Sequence, residues 1–180
     1  IRANDPDDIA ANLALGNIYE RLYRNTQKAE LLEASNQAIV RVRNSEKASP
    51  DQRVEALTLE GRNEKTLWRL EWDQLDNVAE RRDAATNRML RKAYETYRKA
   101  YLFDLNHYYS GLAALQQGTI TLELSKEDMW QDTFDNVDQA QAYGAGLKRQ
   151  LEALHPIVAQ AIEAALARMS GNDQNRVWAE

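Results

Sequence analysis

The sequence predicts an all-α chain of stacked antiparallel helix pairs, an α-solenoid. Three observations carry this expectation. Leu, Ala, Glu, Arg and Gln are plentiful beside only seven Gly and three Pro, a composition that favours helix. Apolar residues recur at three, four and seven along most of the chain, the stripe of an amphipathic helix, so about three-quarters of it should be helical, with no sheet of three or more strands. In Asn12-x-x-Leu15-Gly16-x-x-Tyr19, Leu15 and Tyr19 share one helix face. Gly16 between them lets a second helix approach closely.

That spacing, W-x2-L-G-x2-Y, is the signature of the first helix of a tetratricopeptide (TPR) repeat, with Asn12 in the Trp slot. One such unit cannot bury its apolar face alone, so the motif predicts a TPR-like stack. The 180 residues should form a single TPR-like domain with units at 6–50, 51–105 and 106–170, and a further helix opening over 175–180.

The first helix is expected over 6–23, started by Asp5-Pro6-Asp7-Asp8, with a carboxylate and a proline in its first turn. A second over 28–45 turns Leu31, Leu32, Ala38, Ile39 and Val42 inward. Ala38, Val42 and Pro50 fit the second-helix pattern A-x3-F…P, provided the first unit carries an insertion of about ten residues. Ser49-Pro50-Asp51 restarts a helix. Val54, Leu57, Gly61, Trp68, Trp72, Leu75 and Ala79 extend it to about residue 81. A fourth helix over 83–103 buries Leu90, Ala93, Tyr94, Tyr97, Ala100 and Tyr101, and Asp104-Leu105-Asn106 follows where a TPR commonly has Asp-Pro-Asn. A fifth runs from 106 to Gly118. Thr119–Asn136 is the least regular stretch, read as helix extension or loop, with a short helix over 126–134. A sixth helix over 137–154 should break at His155-Pro156, because the residue before proline avoids the α region. A last helix over 156–169 ends in the turn 170–173.

Tyr97-Arg98-Lys99-Ala100, Phe103, Asp104 and Tyr108-Tyr109-Ser110-Gly111 lie within YETYRKAYLFDLNHYYSGLAAL, residues 94–115. This segment resembles the TPR-like TRAF-binding region of the apoptosis-signal-regulating MAP kinase kinase kinases and its bacterial relatives. Val177-Trp178-Ala179 is similar to the opening of that family's next helix. The resemblance implies an α-solenoid used for protein–protein contact. It implies no kinase activity, since no kinase motif is present.

Composition excludes several function classes. A formal net charge of −5 argues against a general nucleic-acid binder, which needs a strong basic field. No run of about 18 apolar residues marks a membrane span. With no cysteine there are no disulfides, thiol nucleophiles or thiolate metal sites. The start at Ile1 with no signal-peptide pattern reads as a fragment of a longer, cytoplasmic protein.

No catalytic residue, cofactor or metal ligand is assigned. His107 and His155 are the only histidines and stand far apart, with no His-Glu-x-x-His and no calcium loop. His107 reads as a helix start and His155 as a helix break. No G-x-S-x-G elbow or phosphate loop occurs. Glu123, Glu127, Asp128, Asp132, Asp135 and Asp138 form an acidic run, read as a solvated face or a partner contact. Arg81, Arg82, Arg88, Arg91, Lys92, Arg98 and Lys99 form a basic run beside Tyr94, Tyr97 and Tyr101. The tyrosines have core spacing, so the cations read as the solvated side or as partners of the acidic run. Trp68 and Trp72, one turn apart, read as core.

In a TPR stack the first helix of each pair lines the concave face. Taking Gly16 and Gly61 as equivalent, the groove-facing positions are Asn17, Arg21, Arg62, Lys65 and Arg69, with Tyr109 and Gln116 from the third unit. Arg62, Lys65 and Arg69, at i, i+3 and i+7, form one stripe on a helix. Such a stripe suits acidic peptide side chains or a C-terminal carboxylate. The expected function is a non-enzymatic protein-interaction scaffold within a signalling or regulatory protein. The alternative is a helical domain that regulates a neighbouring domain of its own chain.

Overall fold

The computed structural model describes residues 7–169. In chain order these form α1 (Ile9–Thr26), α2 (Ala29–Asn44), α3 (Pro50–Trp72), α4 (Val78–Ala85), α5 (Arg88–Phe103), α6 (Tyr108–Leu124), a 3-10 helix (Asp128–Thr133) and α7 (Val137–Arg168). Helix covers 83% of the described residues, with no strand among them, so the all-α, TPR-like expectation holds. The helix start at Asp5-Pro6, the turn 170–173, the Val177-Trp178-Ala179 match and the helix over 175–180 lie outside the described residues.

α1 packs on α2, α3 on α5 and α6 on α7, and neighbouring pairs touch through α1–α3, α2–α3 and α5–α6. Local chemistry starts each helix. Asp8 Oδ1 accepts the Ala11 N–H at 2.9 Å and caps α1. Ser49 and Gln52 form a reciprocal capping box around Pro50 at the start of α3. Gln27, in the left-handed region at φ 56°, closes α1 by donating its N–H to the Tyr23 carbonyl at 2.7 Å.

The glycines expected at close contacts are there. A Cβ on Gly16 would stand 2.9 Å from Ile39 Cγ1 of α2, and one on Gly61 would stand 3.0 Å from the Tyr97 ring of α5. All six inward residues expected of α5 are buried. Tyr94, Tyr97 and Tyr101 pack with Leu147, Leu151, Leu154 and Val158 of α7 in one apolar cluster. Each large side chain so buried contributes about 1.5–3 kcal/mol.

Three stretches differ from expectation. α3 stops at Trp72 instead of near residue 81, because Asn77 accepts the N–H groups of Ala79 and Glu80 and starts the separate helix α4. α4 lies against α3 and is fastened by Trp68 Nε1 donating to the Ala85 carbonyl at 2.8 Å. Asn87 then caps α5, which begins at Arg88 and not at 83.

Second, α6 does not end at Gly118 but runs through it to Leu124, so the helix-extension reading of the stretch after Gly118 holds as far as residue 124. Gly118 is no terminator, since a Cβ there would meet Leu151 at 2.6 Å and Tyr94 at 2.8 Å. The strand-like Thr121 is accommodated by donating its hydroxyl to the Gln117 carbonyl at 2.8 Å.

Third, α7 does not break at His155-Pro156; Pro156 lies inside one 32-residue helix. Both residues are exposed, whereas Leu147, Leu151, Leu154, Val158 and Ala165 are buried on both sides of the proline. Packing on both sides offsets the hydrogen bond that the proline removes.

The connection between α6 and α7 is held from α5. Arg91 stacks over Phe134 at 3.9 Å, beside Trp130 at 5.2 Å and Tyr143 at 5.7 Å. It also donates to the Thr133 carbonyl at 3.0 Å. Arg82 reaches Glu127 at 3.8 Å. Parts of the basic and acidic runs therefore meet within the chain.

A concave groove as the candidate functional site

α1, α3 and α6, the first helices of their pairs, line one groove of about 910 Å³. α1 contributes Asn17, Arg21 and Arg24, and α3 contributes Glu55 and Arg62. α6 contributes Tyr108, Tyr109 and Leu112, with His107 at its N-cap.

The floor is an ion-pair network. Asn17 and Arg62 follow Gly16 and Gly61, and the two positions meet: Arg62 Nη1 donates to Asn17 Oδ1 at 2.7 Å. Arg62 Nη2 donates to the Gly16 carbonyl at 3.3 Å, and Nε lies 3.5 Å from Glu20 Oε2. Glu20 is only 1% exposed because it falls on the inward stripe of α1 with Asn12, Gly16 and Tyr23. A carboxylate at such a position needs cationic partners. Arg24 is the second, its Nε 3.0 Å from Glu20 Oε1. The Thr66 hydroxyl lies 3.4 Å from the same oxygen. Arg62 is therefore both a lining residue of the groove and the bridge from α3 to α1.

Burial pulls the Arg62 pKa down, opposed by Glu20, and a guanidinium remains charged under such a shift. Burial also holds Lys65 below the ordinary lysine value; Arg69 adds to this, while Glu20 opposes it.

Of the residues singled out from sequence, Asn17, Arg21, Arg62 and Tyr109 come together in this groove. Lys65, Arg69 and Gln116 are not among its lining residues. Lys65 is half-buried, and Gln116 is exposed. Arg69 is exposed and pairs at 3.0 Å with Asp73, the C-cap of its own helix. The three cations of the α3 stripe are thus engaged in different ways.

Glu20, Arg24, Tyr108 and Leu112 were not singled out. Arg24 was within reach, lying three residues after Arg21 and seven after Asn17 on the same face. Glu20 could have been noticed as a carboxylate four residues after the contact glycine Gly16. His107 does start α6, its Nδ1 3.0 Å from Ser110 Oγ.

Among the described residues no group of three or more His, Asp or Glu is placed to hold a metal ion. None of the described helices is long and apolar enough to cross a membrane.

Helix pairs stacked so that their first helices share one groove define a protein of the tetratricopeptide-repeat class. Residues 1–121 match the model of the TPR-S family, Tetratricopeptide Repeats-Sensor, and the chain belongs to that family. The match ends inside α6, so the 3-10 helix and α7 lie beyond it. No curated protein and no solved structure matches the chain.

Proposed function

We propose that this chain is a non-enzymatic interaction module of a larger signalling or regulatory protein, acting in the cytoplasm. Its concave groove receives a protein or peptide segment that carries carboxylates. The two unlike walls of the groove support this reading. Arg21, Arg24 and Arg62 line one side, and Tyr109 and Leu112, 50% and 42% exposed, line the other. Arg21 is exposed and has no ion pair among the described residues. Guanidinium groups bind carboxylates bidentately, and exposed aromatic and aliphatic side chains gain by burial against a partner. Lys65, further along α3, extends the positive field beyond the lining, while Arg69 is offset by Asp73 and Gln116 stands further along α6.

The resemblance of residues 94–115 to the TRAF-binding region supports a signalling setting. The word sensor in the family description supports a regulatory role. That favours, as a second reading, a groove occupied by another part of the same polypeptide.

The test is fluorescence anisotropy with peptides that differ in Asp and Glu content and in whether the C-terminus is free or amidated. Acidic peptides should bind the wild type and weaken as salt rises, since exposed charge is screened over about 8 Å at physiological ionic strength. Arg21→Glu with Tyr109→Ala should lower affinity roughly tenfold or more without changing the circular dichroism spectrum. Equal binding of neutral peptides, or full affinity in the double variant, would remove the groove as the site.

A further inference from the structure

A second surface lies between the second helices α5 and α7 and shares no lining residue with the concave groove. Side chains link the two helices: Tyr94 donates to Gln150 Oε1 at 2.9 Å and Tyr143 to Glu95 Oε1 at 3.2 Å. A valley remains above them. It consists of two hollows of about 400 and 320 Å³ that share Arg98, Leu102 and Gln150 as lining. From Gly146 to Ile157 it follows α7 for about 16 Å, at about 1.5 Å per residue.

Three features of this valley have no purpose among the described residues. The first is Gly146. It sits inside a long helix, where glycine is unfavourable. A Cβ there would meet nothing within 4 Å, whereas Cβ atoms on Gly16 and Gly118 would press on a neighbouring helix. Ala153, also small, lies seven residues on along the same seam. The second is exposed apolar area: Leu102 and Ile157, which line the valley, are 49% and 41% exposed. The third is charge. Arg98, Lys99 and Arg149 line the valley beside a single carboxylate, Glu95, which accepts from Tyr143, and the ion pairs formed among the described residues include none of the three cations. This is so in a chain of net charge −5.

We propose that the valley docks an acidic amphipathic helix of another protein. Its apolar stripe covers Leu102 and Ile157, its backbone passes closest at Gly146, and its flanking carboxylates meet Arg98, Lys99 and Arg149. A helix fits because two helices frame the seam and its small residues repeat at a heptad spacing, which permits close axial approach. The unpaired cations select the sign of its flanks.

The probe is a synthetic helical peptide of about 18 residues, with Leu along one face and Glu on the others. A Lys-for-Glu version is the control. The Glu peptide should bind the wild type and the Lys peptide should not. Gly146→Leu fills the floor of the valley, and Arg98→Glu with Arg149→Glu reverses its flanks; each should lower affinity roughly tenfold or more. Arg21→Glu, in the concave groove, should leave binding unchanged. Both valley variants should keep the wild-type circular dichroism spectrum, because among the described residues a Cβ on Gly146 would meet no neighbour and the arginines form no ion pair.

Failure of the Glu peptide to bind, equal binding of the Lys peptide, or unchanged affinity in either variant would overturn the proposal. Loss of binding in Arg21→Glu alone would overturn it too, by assigning the peptide to the groove. If light scattering gives a doubled mass that Gly146→Leu returns to the single-chain value, the occupant is a second copy and the acidic-helix assignment fails.

Discussion

Glu20 and Arg62 form a buried ion pair that joins α1 to α3, with Arg62 Nε 3.5 Å from Glu20 Oε2 and the carboxylate 1% exposed. The same guanidinium donates to Asn17 and to the Gly16 carbonyl, so one side chain ties together two of the three helices that line the groove. Arg62→Ala should therefore cost roughly 3 kcal/mol, the lower end for a broken buried pair, because Arg24 keeps its contact with the carboxylate. Glu20→Met combined with Arg62→Met should recover most of that loss. Urea denaturation measures both variants. A single variant within 0.5 kcal/mol of wild type, roughly the range of surface changes, would mean that the pair does not hold the repeat together.

The glycines separate packing from propensity. Gly16→Leu should destabilise by at least about 1–3 kcal/mol, because even its Cβ would stand 2.9 Å from Ile39. Gly146→Ala should stabilise by about 0.5–1 kcal/mol, since it removes a helix-interior glycine from open space. Thermal melts of the two variants should move in opposite directions. Parallel shifts would refute the contact assigned to Gly16.

Arg91 pins the irregular connection before α7 by stacking among Trp130, Phe134 and Tyr143. Arg91→Ala should lose about 1–2 kcal/mol and open residues 128–136 selectively. Hydrogen exchange would show faster exchange there, with α1 to α3 unchanged, and Trp130 emission should shift to the red. Uniform protection in the variant would show that the segment docks without the arginine.

Glu64 supplies the pH dependence. It is 6% exposed, and Lys92 Nζ lies 3.6 Å away. Burial raises its carboxyl pKa above the ordinary value of 4.5, against the opposing pull of Thr96 and Lys92. A carboxyl with a raised pKa in the folded state penalises folding once it ionises. The penalty is absent below the unfolded value, grows as pH rises through the folded value and is complete above it. Glu64→Gln should therefore raise the melting temperature at pH 7 and lose this advantage as pH falls towards 4. A variant less stable than wild type at pH 7 would show that the Lys92 pair outweighs desolvation.

Much of the fold was legible because it rests on local periodicity. The six inward residues of α5, the helix start at Ser49-Pro50-Asp51 and the contact at Gly16 each depend on spacing within one helix. The boundaries that departed from expectation depend on more. Gly118 and Pro156 are helix breakers by intrinsic preference. Tyr94 and Leu151 pressing on Gly118, and the buried leucines around Pro156, override that preference. Local sequence contains no such neighbours. The end of α3 was a closer contest, between an apolar stripe continuing to Ala79 and the capping side chain of Asn77, and the cap prevailed.

The candidate site divides in the same way. Residue spacing alone determined that Arg21 shares the face of Asn17, because a helix of known pitch fixes which residues point together, and the TPR register of Gly16 and Gly61 suggested Asn17 and Arg62 as equivalent positions. The tertiary structure alone decided that Arg62 is held by Glu20, that Arg69 turns to Asp73, and that Tyr109 and Leu112 form the facing wall. Those outcomes depend on distances between helices, and the helix separation comes from side-chain packing across the whole stack, which no single helix encodes.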